Sequence, residues 1–441
     1  MVTPDLSRID TLVVVIMENR SFDHLLGYLS LNPTGRTNVE GLKPDPDWQT
    51  AVANPWGGRL YAPFHYTDLA LPSDPPHERG PIALQLGSNP SGTFPLKGFV
   101  ENYASVQKVI DPDHPPAVMG YYTPDEVPIT DFFATQYSIF DHWHAPLPAS
   151  TQPNRLMAMA GFSKIDGNQS FLGFPDQRLV YDWLTDNDIR WRVYHDGIPF
   201  FMLMKRWIPS ILTSGLDKKS HFRPLSQLVV DVQEEDPATF PQVIFVEPKY
   251  SDAPPAGHGR DDHPPTSITG GQAFLWEVYL ALTSSATRWA KTSMVVTYDE
   301  HGGFFDHIQP LQVVTNPPDG AGYTPFITSG VRVPTMIVSQ LVPAGGVFSG
   351  PYDHTSILKF LGDKFNGGKY SPEVDNRAGV GSLSEVFAQP IARTDIPLPP
   401  SPTGVPAIPS VQMIAFQAAA QEAYTQDSAA AGAAVPDTWH V

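Results

Sequence analysis

A chain of 441 residues, 41% hydrophobic and 17% charged, carries enough apolar material for a large core, which excludes global disorder. A formal net charge of -18 leaves no basic surplus to displace counterions, so a nucleic-acid partner is excluded while a local cationic pocket is not. Zero cysteines exclude disulfides and thiolate metal sites and leave the redox compartment undetermined.

The N-terminus shows neither the basic segment nor the apolar stretch of a signal peptide, and no run of about 18 apolar residues is present to span a bilayer. The compartment stays open: cytoplasmic as written, or exported with a trimmed signal. Leu12 to Met17 is a continuous apolar run, the pattern of a strand buried on both faces, with polar residues directly after it. Residues 36–120 are rich in Pro, Gly and aromatics without clear periodicity, and read as a long, lid-like excursion over the end of a sheet. Strand patterns recur at Val243–Val246 before Glu247, at Met294–Thr297 before Asp299 and at Thr335–Val338 before Ser339. Helical spacing appears from Gly271 to Leu282, with Phe274, Val278 and Leu282 apolar, and from Ser356 to Phe365. A Pro-rich linker, residues 394–411, leads into an Ala- and Gln-rich tail from Val411 to Ala433 that reads as a helix. The alternation predicts an α/β fold, with residues 1–393 as one catalytic domain and 394–441 as linker and tail. Ligands of such sheets gather outside the carboxyl ends of the strands.

Three polar constellations stand where that rule puts a site. Glu18-Asn19-Arg20-Ser21-Phe22-Asp23-His24 follows the first strand, and its carboxylate and amide oxygen suit a hard cation or an activated water. Its bland alternative, with equal weight from this segment alone, is that Asn19 to Asp23 cap a helix. Tyr298-Asp299-Glu300-His301-Gly302-Gly303-Phe304-Phe305-Asp306-His307 follows another strand. Adjacent carboxylates at a buried strand end repel unless a cation or shared proton sits between them, and the glycines let backbone approach a ligand closely. Pro148-Ala149-Ser150-Thr151-Gln152-Pro153-Asn154-Arg155 opens a helix, where the dipole favours a hydroxyl attacking phosphorus; Ser150 and Thr151 both qualify, against the alternative of an ordinary N-cap. His77, His263 and His354 are candidates to bind a phosphoryl oxygen or protonate a leaving group.

Together, Glu18 to His24, Thr151 to Arg155, Asp262-His263-Pro264 and Tyr298 to His307, in that order, resemble the phosphoesterase family of bacterial and plant non-specific phospholipases C and certain acid phosphatases. The similarity continues through Gly330 to Thr335 and Asp353 to Ser356, so it covers roughly residues 10 to 365. The resemblance implies an alkaline-phosphatase-like, three-layer α/β/α sandwich around a mostly parallel sheet, and phosphoryl transfer through a covalent phosphothreonine. It implies that Glu18, Asn19, Asp299 and Glu300 hold a divalent metal ion and that Thr151 is both nucleophile and metal contact. His263 and His77 would line the phosphate site, and His195 falls where some relatives place another active-site histidine. Oxygen ligands leave Ca²⁺, Mg²⁺, Mn²⁺ and Zn²⁺ open.

The implied substrate is a phosphoester. Threonine at position 151 and the Tyr298 to His307 stretch look closest to the phospholipase C side, and the alternative is an acid phosphatase acting on small phosphomonoesters. Membrane contact is expected to be transient at most, because the acidic balance gives no attraction to anionic surfaces. A binding module without turnover would show a broken position, whereas all five metal and nucleophile positions are intact. A metal-dependent sulfatase is a weaker rival, since it needs a cysteine or serine to be converted to formylglycine and the chain has no cysteine.

Overall fold

The computed structural model describes residues 4–31, 36–87, 92–170, 173–212, 220–253, 258–388 and 393–402; the expected tail helix from Val411 to Ala433 lies outside the described residues. Eight strands form the central sheet: β1 (Thr11–Met17), β2 (Ser138–Phe140), β3 (Trp191–His195), β4 (Phe222–Pro224), β5 (Val243–Glu247), β6 (Thr292–Tyr298), β7 (Thr335–Val338) and β8 (Gly346–Phe348). Their spatial order is β8-β2-β7-β6-β1-β5-β3-β4. Every neighbouring pair is parallel except β6 with β7 and β7 with β2, so β7 alone runs against the rest.

All seven residues of β1 and all seven of β6 are buried. Successive side chains point to opposite faces, so burial along a whole strand requires cover on both sides. The helices supply it in two mutually packed groups. Pro128–Gln136 and Gln227–Glu234 pack on Thr269–Thr283, while Thr151–Ala160 packs on Thr355–Phe365. The result is the expected α/β sandwich around a mostly parallel sheet. Each buried Val, Leu or Ile side chain contributes about 1.5–3 kcal/mol, which makes the central strands the rigid base of whatever stands at their ends.

Two expectations are refined. The helices predicted at Gly271–Leu282 and Ser356–Phe365 extend to Thr269–Thr283 and Thr355–Phe365. The run Thr335–Val338 is a strand, but reversed: Thr335 pairs with Thr297 and Val338 with Met294, so the polar residue after it, Ser339, bonds the beginning of β6, to Ser293 and Thr292. Composition marks a buried strand without giving its direction, and Ser339 therefore stands at the end of the sheet away from Asp299.

The stretch 36–120 contains short elements: helices at Pro46–Val52, Arg79–Leu86 and Phe99–Tyr103 and a hairpin of Asn54–Trp56 with Arg59–Tyr61. Leu42, Ile82, Leu86, Phe99 and Tyr103 are buried, so this segment is packed onto the body. Among the described residues no helix is long and apolar enough to cross a membrane.

Candidate active site

The ends of β1 and β6 lie side by side, with Met17 opposite Tyr298, so the residues that follow each strand leave the sheet together. Asn19 turns with φ 60° and Gly302 with φ 61°. A Cβ on Gly302 would meet the Asn19 carbonyl at 2.3 Å, which is why glycine stands there. The crossing is tied by Asp299 Oδ1, which accepts from the Asn19 amide at 3.1 Å and from the Glu300 amide at 2.8 Å. His354 adds a buried contact, its Nε2 lying 2.8 Å from the Asp299 carbonyl while Trp143 Nε1 donates to its Nδ1, so this histidine holds the strand end.

In the first constellation the cap falls on one residue and leaves Glu18 and Asn19 free of that role. Ser21 caps the short helix Phe22–Leu25 by accepting from the His24 amide, while Glu18 and Asn19, ahead of it, turn to the site. At the other helix start the cap reading fails: Ser150 occupies the N-cap position but makes no capping bond, and its buried Oγ has no hydrogen-bond partner. Thr151, the first residue of its helix, places Oγ1 3.5 Å from Asn19 Oδ1.

Four of the sequence-predicted residues are thus buried together: Glu18, Asn19, Asp299 and Glu300, with Thr151 at their edge. The structure adds Arg155, which the sequence placed in the motif without a role. It stands four residues after Thr151, one helical turn on, and that i,i+4 spacing is the signal that marks it. Its guanidinium lies 3.0 Å from Glu18 Oε1 and 3.4 Å from Asp299 Oδ2, with Nη1 donating to Tyr250 Oη at 3.0 Å.

The Arg155 guanidinium pairs with two of the three buried carboxylates, Glu18 and Asp299. Burial pushes Glu18 well above the ordinary carboxylate range, Arg155 opposing it and Asp299 adding to it. Burial likewise pushes Glu300 up to about 8, eased by His77 and aggravated by Asp299. Glu300 Oε2 accepts from the Gly302 amide at 2.8 Å, but Oε1 is buried without a partner. Buried carboxylates are otherwise neutralised or bound to cations, so this oxygen-rich, under-neutralised set fits a hard divalent ion.

His77 and His263 meet on the other side of Asn19, their rings nearly perpendicular with centroids 5.8 Å apart. Each Nδ1 lies on a backbone carbonyl, of Pro75 and of Pro264, and His77 Nε2 lies 3.3 Å from Asn19 Nδ2. Burial works against protonation of His77, but Glu300 and Asp74 outweigh it and raise its pKa. Asp74, three residues before His77, joins these histidines: one ligand atom from each of Asp74, His77 and His263 lies within 4.8 Å of the others. The second such group among the described residues is Asp23, Asp306 and His307. His195 stands at the carboxyl end of β3, two strands from β1, with Nδ1 2.7 Å from the Gly197 carbonyl and its charge bearing on Glu247.

Residues 9–366 match the model of the Phosphoesterase family. Among curated proteins, the chain is 33% identical to non-specific phospholipase C6 of Arabidopsis thaliana, over 82% of this chain and 68% of that protein. It is 32% identical to non-specific phospholipase C1 of the same plant, over 81% and 67%. A non-hemolytic phospholipase C of Burkholderia pseudomallei is 27% identical over 86% of this chain and 59% of its own length. Among solved structures, a protein in the alkaline phosphatase superfamily from Vibrio parahaemolyticus is similar at TM-score 0.35 and 12% identity, over 70% of this chain and 83% of that one, too loosely to bear on the site.

Proposed function

The chain belongs to the phosphoesterase family and is a phosphoric ester hydrolase; on that premise we propose that it cleaves a phospholipid or related phosphodiester by phospholipase C-type chemistry through a phosphothreonine at Thr151. One observation carries the reading: three buried carboxylates, two paired with a single guanidinium and the third with an unpartnered oxygen, gather beside a hydroxyl at a helix N-terminus.

In this reading Glu18, Asn19, Asp299 and Glu300, with Thr151, hold a divalent cation. When bound, that cation neutralises phosphoryl charge and lowers the pKa of a hydroxyl. Thr151 Oγ1 loses its proton and bonds to phosphorus as the bond from phosphorus to the diacylglycerol oxygen breaks. The leaving alkoxide takes up a proton. Water then attacks the phosphothreonine, restoring the Thr151 hydroxyl and releasing the phosphomonoester, phosphocholine where the lipid is phosphatidylcholine. The amide dipoles of Thr151–Ala160 favour the negative charge that develops on the phosphoryl group. Arg155 pairs with both Glu18 and Asp299 and opposes the rise that burial gives Glu18, a positioning role. His77 and His263 line the phosphate side of the pocket, and the segment 36–120, which carries Asp74 and His77, closes over it.

The test uses metal-stripped protein with Ca²⁺, Mg²⁺, Mn²⁺ or Zn²⁺ restored, on phosphatidylcholine and p-nitrophenyl phosphate side by side. Diacylglycerol with phosphocholine is the expected product pair. Release from the monoester alone makes the protein a phosphatase, and equal turnover of stripped and restored protein sinks the metal reading.

A further inference from the structure

The motifs place one cation among oxygen ligands. The tightest constellation of ligand atoms near that set is a different one. Asp74, His77 and His263 each bring one ligand atom to within 4.8 Å of the other two. Asp74 and His77 stand three residues apart and His263 comes from a distant segment, so the cluster is completed only in the folded protein. Asp74 Oδ1 is buried without a hydrogen-bond partner, although the side chain is 41% exposed overall, so one oxygen faces inward from a group that solvent reaches. His77 Nδ1 lies 3.9 Å from that oxygen.

The two imidazoles are held as ligating histidines are held. A ligating ring usually gives its other N–H to a carbonyl or carboxylate, which fixes tautomer and orientation. Here Nδ1 of His77 lies 2.7 Å from the Pro75 carbonyl and Nδ1 of His263 lies against the Pro264 carbonyl. Donation from Nδ1 leaves an unprotonated Nε2 on each ring. His77 Nε2 meets Asn19 Nδ2 at 3.3 Å, longer than a good amide hydrogen bond. Two imidazole nitrogens and a carboxylate oxygen with one side toward solvent make a three-ligand set that leaves a position for substrate, suited to Zn²⁺ or another borderline ion.

We propose that Asp74, His77 and His263 bind a second divalent cation, distinct from the one held by Glu18, Asn19, Asp299 and Glu300, so that the phosphoryl group of the substrate is received between two cations. The contact between His77 and Asn19 makes the two sets neighbours. A paired arrangement clamps both the attacking and the leaving oxygen of an in-line displacement. The contact of His77 and His263 with the phosphate is then made through this ion. The inference rests on the phosphoesterase reading for its substrate, but not for its metal.

The experiment is metal content per chain, by elemental mass spectrometry, of full-length protein loaded with Zn²⁺ or Mn²⁺ and dialysed. The wild type, Asp74→Asn, His263→Ala and Glu300→Gln are compared, each checked by circular dichroism and melting temperature. Two equivalents in the wild type, falling to one in Asp74→Asn and in His263→Ala, bear the proposal out. One equivalent that survives both of these variants and is lost in Glu300→Gln overturns it while leaving the oxygen-ligand reading intact. One equivalent lost in Asp74→Asn and His263→Ala but kept in Glu300→Gln upholds this site and sinks the other. Because Asp74→Asn keeps the side chain's shape at a part-exposed position, a folded variant is expected even if His263→Ala is not.

Discussion

Two polar clusters grow from the same two strand ends and differ in how their charge is settled. Directly after β1 and β6, the Arg155 guanidinium pairs with Glu18 and Asp299, while Glu300 Oε1 is left without a partner. A few residues further along both segments, Asp23 and Asp306 are fully engaged. Arg332, wholly buried, lies 2.9 Å from Asp23 Oδ1 and 3.1 Å from Asp306 Oδ1, and its Nη1 donates to the Glu40 and Asp141 carbonyls. His307 lies 2.6 Å from Asp23 Oδ2, and the Asp23 amide donates to Asp306 Oδ2 at 3.0 Å. The one loose end is His307 Nε2, 3.7 Å from Glu40. Though Asp23, Asp306 and His307 also have metal-like spacing, Arg332 already supplies the cation there. The settled cluster clamps the two ligand-bearing segments together. The unsettled one keeps an excess of buried carboxylates of the kind that a bound cation relieves.

The largest expected effect separates the clusters by activity. Thr151→Ala should lower kcat on the order of a thousandfold or more, while the fold loses no more than about 1 kcal/mol, read from kinetics and urea unfolding of the same preparation. Unchanged kcat removes Thr151 as nucleophile.

Arg332→Met should do the reverse. Breaking a buried ion network by removing one partner costs about 3–5 kcal/mol, visible as a lower urea midpoint before any assay is run. An unchanged midpoint would mean that Asp23 and Asp306 are not held by Arg332.

The clusters also differ in pH response. A carboxylate raised in the folded state keeps its proton there after the unfolded chain has released it, so stability falls as pH rises between the two pKa values. For Glu300 that window runs from its ordinary 4.5 to about 8, and Asp306, pushed up to about 6 mainly by burial, adds a drop of the same sign at its lower end. Metal-free protein should therefore melt at progressively lower temperature from pH 5 to pH 8, and added cation should raise the melting temperature most at the alkaline end. Glu300→Gln should flatten both trends. Equal cation-induced shifts at pH 5 and pH 8 would dissociate the metal from Glu300.

The smallest effect is expected at His195. From its position on β3, His195→Ala should fall short of the roughly 10²–10⁴-fold loss that follows removal of a general acid or base. A loss in that range in steady-state kcat would return His195 to the catalytic set.

Much of the fold was legible because burial on both faces writes itself as an unbroken apolar run, as in Leu12 to Met17, and the site was legible because charged residues directly after such a run have few other reasons to be there. Strand direction was not: Thr335 to Val338 has the composition of its neighbours, and only pairing with β6 and β2 makes it antiparallel. Nor was the assignment of partners. Arg155 and Arg332 are ordinary arginines in sequence, and Asp74 is an ordinary loop aspartate. Which carboxylates each neutralises depends on contacts between segments up to about three hundred residues apart, such as Asp23 with Arg332. The chain by itself determined which side chains gather at the carboxyl ends of β1 and β6. Only tertiary packing decided which of those charges are settled by protein and which are left without a partner, because a charge's balance is a property of its neighbours in space.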